Sequence, residues 1–199
     1  MLSSIHPFGE RSRNNSFWQT AAAHVVGSTL GGITLGAAAG VLGWATTLFW
    51  EADSIARPAL LGSFAAAAAL LEATGRERTL PTRTRQVNEN WIQTYRGWVY
   101  GGGFGAELGF GISTIITTTL VHVMVVAMFL VGSIPLAMAI GAVFGLVRGA
   151  TILTAWTVDS PDRLRALHRS LDHLRSRSRS GAVASLAVAS AVGFSAVML

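Results

Sequence analysis

The sequence contains no cysteine and no lysine among its 199 residues. Without cysteine the chain has no disulfide, no thiolate metal ligand and no thiol redox relay. All 15 basic residues are arginine. Charged residues make up only 13% of the chain, whereas a soluble domain carries about 25%. This shortage of charge and a mean hydropathy of +0.48 indicate a chain that is surrounded mostly by lipid.

Two long stretches are almost free of charge. Residues 14–50 contain no charged side chain, and residues 97–147 contain only Glu107. A helix of roughly 20 apolar residues crosses the hydrocarbon layer of a bilayer. We therefore expect an all-α, polytopic integral membrane protein, a single transmembrane domain over residues 1–199 with about five transmembrane helices (four to six). The predicted spans are about 18–48, 54–71, 98–130, 134–156 and 181–199.

The charged residues lie between the predicted spans and indicate an orientation. Segments 1–16, 72–97 and 159–180 are net basic, whereas the turns at 49–53 and 131–135 are acidic or neutral. Basic segments remain on the cytoplasmic side of a membrane. We therefore expect a bacterial inner (plasma) membrane protein with a cytoplasmic N-terminus and a C-terminus outside.

A leucine and arginine pattern follows Ser160-Pro161. Its leucines recur at spacings of three and four residues, at Leu164, Leu167, Leu171 and Leu174. The arginines expected to face a membrane surface are Arg163, Arg165, Arg169 and Arg175. This pattern predicts a basic amphipathic helix lying on an anionic membrane. The alternative is a helix that packs on the protein's own loops.

A short glycine pattern occurs twice. Gly27-x-x-Leu30-Gly31 and Gly105-x-x-Leu108-Gly109 match at an offset of 78 residues. Each lies in an over-long apolar stretch that is followed by a turn and a shorter span. The match suggests a duplicated two-span unit, although a chance match is as good an explanation in a chain with 22 glycines.

The second glycine pattern also carries a family resemblance. The stretch Gly105-Ala106-Glu107-Leu108-Gly109-Phe110-Gly111-Ile112-Ser113-Thr114 resembles the first helix of a repeat in the cytochrome c biogenesis and DsbD-type (LysE-like) transmembrane conductors. The stretch from Arg85 to Gly101 is similar to uncharacterised actinobacterial membrane proteins. The resemblance covers about half the chain. It implies a conductor fold, but the family's cysteine positions hold Ile33 and Thr34, and Ile112 and Ser113, so thiol chemistry is excluded.

Glu107 is the strongest candidate for a functional residue. It lies about ten residues into its predicted span, or about 15 Å along a straight helix. A carboxylate at that depth costs several kcal/mol unless it is paired, hydrated or protonated. We interpret it as a proton or cation site, or as the polar end of a substrate pocket. The alternative is a carboxylic acid bonded to a hydroxyl or imidazole of a neighbouring helix.

Glycines surround Glu107. Gly103, Gly105 and Gly109 belong to a set of six glycines in the eleven residues 101–111. Each glycine weakens a helix by roughly 1 kcal/mol relative to alanine, so this stretch is a candidate for a broken helix that lines a site. The alternative is a smooth face for close helix packing.

Three more polar residues complete the candidate set. His24 lies near the predicted level of Glu107 on the first span, and His122 lies further along the third span. Ser113 begins a run of hydroxyl side chains that extends to Thr119. Either histidine could serve a metal or proton role, His24 through a contact with Glu107, and the hydroxyls could line a polar path. The alternatives are histidines that serve packing and hydroxyls that bond back to their own helix.

No catalytic triad, phosphate loop, metal-ligand pair or pair of catalytic acids is present in the sequence. We therefore expect no enzyme, no cofactor, no metal and no nucleic-acid partner. The predicted function is a small membrane transporter or conductor of an ion or small solute that uses a buried carboxylate in a glycine-rich broken helix. The alternative is a non-catalytic membrane subunit, or an assembly or scaffold protein of a larger membrane complex. The expected partners are the lipid bilayer and either a membrane protein or further copies of the chain.

Overall fold

The computed structural model describes residues 5–49, 55–76, 90–111 and 118–198, and within these ranges it consists of helices and turns without a strand. The all-α class is therefore confirmed. The helices are α1 (Pro7–Ser12), α2 (Phe17–Thr47), α3 (Ala56–Thr74), α4 (Trp91–Thr94), α5 (Gly97–Gly109), α6 (Leu120–Leu130), α7 (Ile134–Ala150, continued by a 3₁₀ turn over Thr151–Ala155) and α8 (Pro161–Met198).

Among the described residues, four helical stretches are long and apolar enough to cross a membrane. They are Phe17–Thr47, Ala56–Thr74, Ile134–Ala155 and Arg177–Val197. Large apolar side chains also cover the outside of the bundle, such as Leu42 at 62% exposure and Val143 at 61%. An apolar exterior of this kind suits a protein surrounded by lipid, because a soluble monomer rarely exposes large contiguous apolar patches.

The span predicted over 98–130 is two helices instead of one. Helix α5 ends at Gly109, and Gly111 has a φ of 69°, which a residue with a side chain rarely adopts. Helix α6 begins only at Leu120. The break therefore comes after the glycine-rich stretch. The expectation that residues 101–111 are themselves unwound is wrong, because α5 is helical through Gly109.

Helix α2 is the central helix, and α5 runs parallel to it. Gly97 lies against Thr20, Gly105 against the backbone of His24, and Gly109 against the backbone of Ser28. The residue numbers of the contacting pairs increase together along α2 and α5, so the two helices point in the same direction. The two glycine patterns that match in the sequence thus face each other across one interface, where the absence of side chains lets two backbones touch.

Helix α7 packs on another side of α2 and runs the opposite way. Its Gly141 lies against Gly32, and its Gly145 lies against the backbone of Ser28. The hydroxyl of Ser28 donates a hydrogen bond of 2.7 Å to the Gly145 carbonyl. Glycines therefore form the contact faces of all three inner helices.

Helix α6 packs against the second half of α2. The carbonyl of its Phe129 lies against Gly43, and its Val121 and Met128 join Leu35 of α2 in one apolar cluster. Because α5 covers the first half of α2 and α6 the second, the two short helices together form one discontinuous span beside one continuous helix.

Helices α3 and α8 form an antiparallel pair. Gly62 of α3 lies against Ser190 and Gly193 of α8, and the Arg179 Nε–H donates to the Glu72 carbonyl at 2.9 Å. Helix α8 is continuous from Pro161 to Met198, so the predicted surface helix is instead its first half. The side chains of Arg163, Arg165 and Arg169 are exposed there, and their contact with a membrane surface stays a prediction, as does that of Arg175.

Candidate functional site

The break between α5 and α6 lies level with the middle of α2. Gly31, the fifteenth of the 31 residues of α2, packs against the Ala106 carbonyl and the Phe110 amide nitrogen at the end of α5. Helix α5 therefore ends halfway along α2, the central helix of the bundle. The last carbonyl groups of α5 at this position need partners from protein or from a wet cavity.

Glu107 lies in the last turn of α5, two residues before the helix ends, and its side chain is half-buried. The C-terminal end of a helix carries a partial negative charge because its last carbonyls have no intrahelical partner. The carboxylate of Glu107 and these carbonyls together place several oxygen atoms at the end of α5, which suits a cation.

The three candidate glycines serve packing. A Cβ at Gly105 would collide with the carbonyl of His24, and one at Gly109 would collide with the carbonyl of Ser28. A Cβ at Gly103 would lie 2.5 Å from the ring of Trp91. The smooth contact face, which the sequence left as the alternative, is the arrangement in the structure.

The two histidines lie on opposite sides of the break. His24 is buried between α2 and α5, and its Nδ1 lies 3.3 Å from the carbonyl oxygen of Gly101. Gly101 precedes Glu107 by six residues, or about 9 Å of helix. His122 is half-buried on α6. The break thus separates His122 from Glu107, and Ser113 lies outside the described residues.

An apolar groove of about 650 Å³ runs between α6 and α7. Thr118, beside the break, and Arg148 are polar members of its lining. The Arg148 guanidinium lies 5.2 Å from the centre of the Phe144 ring. Because Gly145 and Gly109 both contact Ser28, the turn of α7 that carries Arg148 lies at the height of the end of α5. The sequence analysis did not include this arginine in the candidate site.

Glu72 is a buried carboxylate that the sequence analysis assigned to a loop. It is 4% exposed, and its Oε2 accepts hydrogen bonds of 2.8 Å from both the backbone N–H and the hydroxyl of Thr119. The hydroxyl of Thr118 donates to the same oxygen at 3.3 Å. Glu72 therefore caps the N-terminus of α6, where the helix dipole favours negative charge.

Glu10 is a second buried carboxylate, at the start of the bundle. It is 0% exposed and accepts hydrogen bonds from the Tyr100 hydroxyl at 2.5 and 2.6 Å and from the Thr20 hydroxyl at 2.8 Å. Arg13 completes the cluster with an ion pair of 2.8 Å. Glu10 thus joins α1 to α2 and α5. Its sequence context, a short basic segment before an apolar run, contained no signal for burial.

Two curated proteins match this chain over most of its length. It is similar to methylamine utilization protein MauF. The protein of Paracoccus versutus is 30% identical over 148 residues, which are 74% of this chain and 54% of that protein. The protein of Paracoccus denitrificans is 31% identical over 150 residues, 74% of this chain and 53% of that protein. The chain thus spans about half the length of these relatives. No protein-family profile and no solved structure matches it.

These matches correct the resemblance drawn from the glycine pattern. The curated relatives are MauF proteins, and nothing supports membership of the DsbD-type and LysE-like conductors. The matched relatives come from Paracoccus, so an actinobacterial link is unsupported as well. The glycine pattern was misleading because it reflects close helix packing, which unrelated membrane proteins share.

Proposed function

We propose that this protein is a small integral membrane transporter that conducts a small cationic solute past the break between α5 and α6. One observation supports this function above all. The broken span lies halfway along α2, and Glu107 occupies the last turn before the break. Discontinuous helices near the middle of a membrane form substrate and ion sites in many transporters, because their helix ends supply partial charge.

The charge at the end of α5 favours a cation as the solute. A carboxylate and the terminal carbonyls of a helix both stabilise positive charge. The relatives' name refers to methylamine utilization. Methylamine, like the lysine side chain, is protonated at neutral pH. We therefore propose methylammonium, or a primary ammonium ion of similar size, as the transported solute.

The proposed location is the bacterial inner membrane, with the N-terminus in the cytoplasm. The basic N-terminal segment and the arginines in the first half of α8 support that orientation, because positive charge is retained on the cytoplasmic side. In this orientation the Glu10 cluster lies at the cytoplasmic end of the bundle, and the α6–α7 turn lies at the outer end.

The second candidate function is a non-catalytic subunit or assembly factor of a membrane complex. The glycine contacts of α2 with α5 and α7 favour this function. They bring the backbones of three helices into direct contact and form a rigid inner bundle, which suits a scaffold.

Uptake of radiolabelled methylamine into proteoliposomes tests the proposal. The assay is run at mildly acidic pH, where the free base is scarce, with an inward-negative potential and with protein-free liposomes as the background. Glu107→Gln should reduce uptake at least tenfold. The matched control is Asp172→Asn, which removes a carboxylate from the exposed first half of α8 and should leave uptake unchanged. Melting temperatures show whether both variants fold.

Two results would contradict parts of the proposal. Uptake by the wild-type protein that does not exceed the protein-free background would contradict transport. Uptake by Glu107→Gln at a wild-type rate above that background would contradict the role of Glu107. A membrane protein that co-purifies in a fixed ratio in mild detergent, together with the first result, would favour the subunit function.

A further inference from the structure

A polar pocket of about 460 Å³ lies beside the Glu10 cluster, where α2 and α5 begin. Its volume falls within the range of small-molecule sites, roughly 300–1,000 Å³. The side chains around it are amides, hydroxyls and one guanidinium, with an indole at one edge. The lining consists of Asn14, Asn15, Ser16, Gln19, Thr20, Arg96, Gly97 and Trp98.

Several of these groups are available to a ligand, among them the side chains of Arg96, Gln19 and Ser16. Among the residues that the structure describes, the Arg96 guanidinium, the Gln19 amide and the Ser16 hydroxyl make no hydrogen bond or ion pair. All three can donate hydrogen bonds, and Arg96 adds a positive charge. A guanidinium is suited to bidentate binding of a phosphate. These three donors therefore suit an anion that has several oxygen atoms.

Among the described residues, the carboxylate beside the pocket is Glu10, and it does not oppose an anion. Glu10 lies behind Thr20, its charge is paired with Arg13, and its oxygens accept from Tyr100 and Thr20. The Oδ1 of Asn15, in the pocket lining, accepts a hydrogen bond from the Gly97 N–H at 3.3 Å. The charge that the pocket presents is therefore that of Arg96.

Two exposed tryptophans indicate where the pocket lies in a membrane. Trp18 at the start of α2 is 61% exposed, and Trp98 at the start of α5 is 59% exposed. The two helices begin at the same height, since Gly97 lies against Thr20. Tryptophan is enriched at the headgroup level of a bilayer. The polar pocket thus opens where lipid phosphates are found.

From this arrangement we propose that the pocket binds a phosphate group, with Arg96 as the main ligand and Gln19 and Ser16 as further donors. An anionic phospholipid such as phosphatidylglycerol presents this group at the height of the two tryptophans. Free phosphate has the same chemistry and is the other source. The proposal does not depend on transport through the break between α5 and α6.

Native mass spectrometry of the delipidated full chain in a neutral detergent tests the site. Phosphatidylglycerol is titrated, and the apparent affinity for the first bound lipid is measured. Arg96→Gln should weaken that affinity roughly tenfold or more, as expected for the loss of a charged hydrogen bond. Gln19→Glu should weaken it similarly, because it places a negative charge in the pocket. The control is Arg169→Gln, which removes an exposed arginine of α8 whose predicted contact is with the membrane surface as a whole, and it should weaken the affinity for the first lipid far less than Arg96→Gln.

Competition with inorganic phosphate distinguishes the two sources. Displacement of the first lipid by millimolar phosphate would support the phosphate site with free phosphate as its ligand. Retention of the lipid, with the same dependence on Arg96, would support the headgroup as the ligand. Equal weakening by Arg96→Gln and Arg169→Gln would overturn the site, because the attraction would then be diffuse. Unchanged affinity in a folded Arg96→Gln variant would overturn it as well.

Discussion

The contact between Gly32 and Gly141 offers a sharp test of how the inner bundle is held together. A Cβ added to Gly32 would collide with the carbonyl oxygen of Gly141, and a Cβ added to Gly141 would collide with the carbonyl oxygen of Gly32. Both obstacles are backbone atoms in helices, so neither can rotate away. The substitution Gly32→Ala therefore forces α2 and α7 apart.

The size of that movement sets the expected cost. Real Cβ atoms essentially never come within 3.0 Å of another heavy atom, so the helices must separate by roughly 1 Å. Overpacking a core usually costs about 1–3 kcal/mol, and a clash with rigid backbone belongs at the upper end of that range. We expect Gly32→Ala to destabilise the fold by about 3 kcal/mol. Gly141→Ala should cost a similar amount, and the double variant should cost less than both together, because one separation relieves both clashes.

The matched control is Gly181→Ala in α8. A Cβ there meets no atom within 4 Å, so only helix propensity changes, which favours alanine by up to about 1 kcal/mol. Thermal unfolding in detergent, followed by the fluorescence of the six tryptophans, measures both variants. Gly32→Ala should melt several degrees below Gly181→Ala. Equal melting temperatures would refute the close backbone contact between α2 and α7.

Two further stability predictions concern the buried carboxylates, and the same unfolding assay measures both. Tyr100→Phe removes the hydroxyl that donates to both oxygens of Glu10, so it should cost about 1.5–3 kcal/mol; a loss below about 0.5 kcal/mol would contradict the cluster. Glu72→Ala leaves the Thr119 N–H without its acceptor and should cost about 1–3 kcal/mol, whereas Glu72→Gln retains an acceptor oxygen and should recover part of the loss. Equal stability of the alanine and glutamine variants would show that the cap at α6 is unimportant.

Hydropathy was sufficient to predict the class of the fold and the position of α2. The run of uncharged residues after Asn14 became α2, which begins at Phe17 and ends at Thr47, close to the predicted 18–48. A long apolar run has few structural alternatives in lipid, because its peptide groups must be satisfied within the segment. The uninterrupted helix over the arginine-rich part of α8 was less predictable, since local propensity allows either a turn or a helix at Ser176–Ser180.

The roles of the glycines and of two acids required the structure. Glycine both weakens a helix and allows close packing, and the partner helix decides which effect matters. For Gly105 and Gly109 the partner is the backbone of α2, which the sequence does not reveal. Glu10 and Glu72 are buried through contacts 90 and 47 residues away, with Tyr100 and Thr119. Long-range pairs of this kind leave no local pattern.

The break between α5 and α6 distinguishes the two acids that lie beside it. Glu72 caps the start of α6, where it accepts two hydrogen bonds from Thr119. Glu107 lies at the end of α5, beside the last carbonyl groups of that helix. Donors surround the first carboxylate, whereas carbonyl oxygens lie beside the second, and oxygen atoms are what a cation binds. This asymmetry favours Glu107 as the residue that would interact with a transported cation, and it assigns Glu72 to holding the second half of the broken span in place.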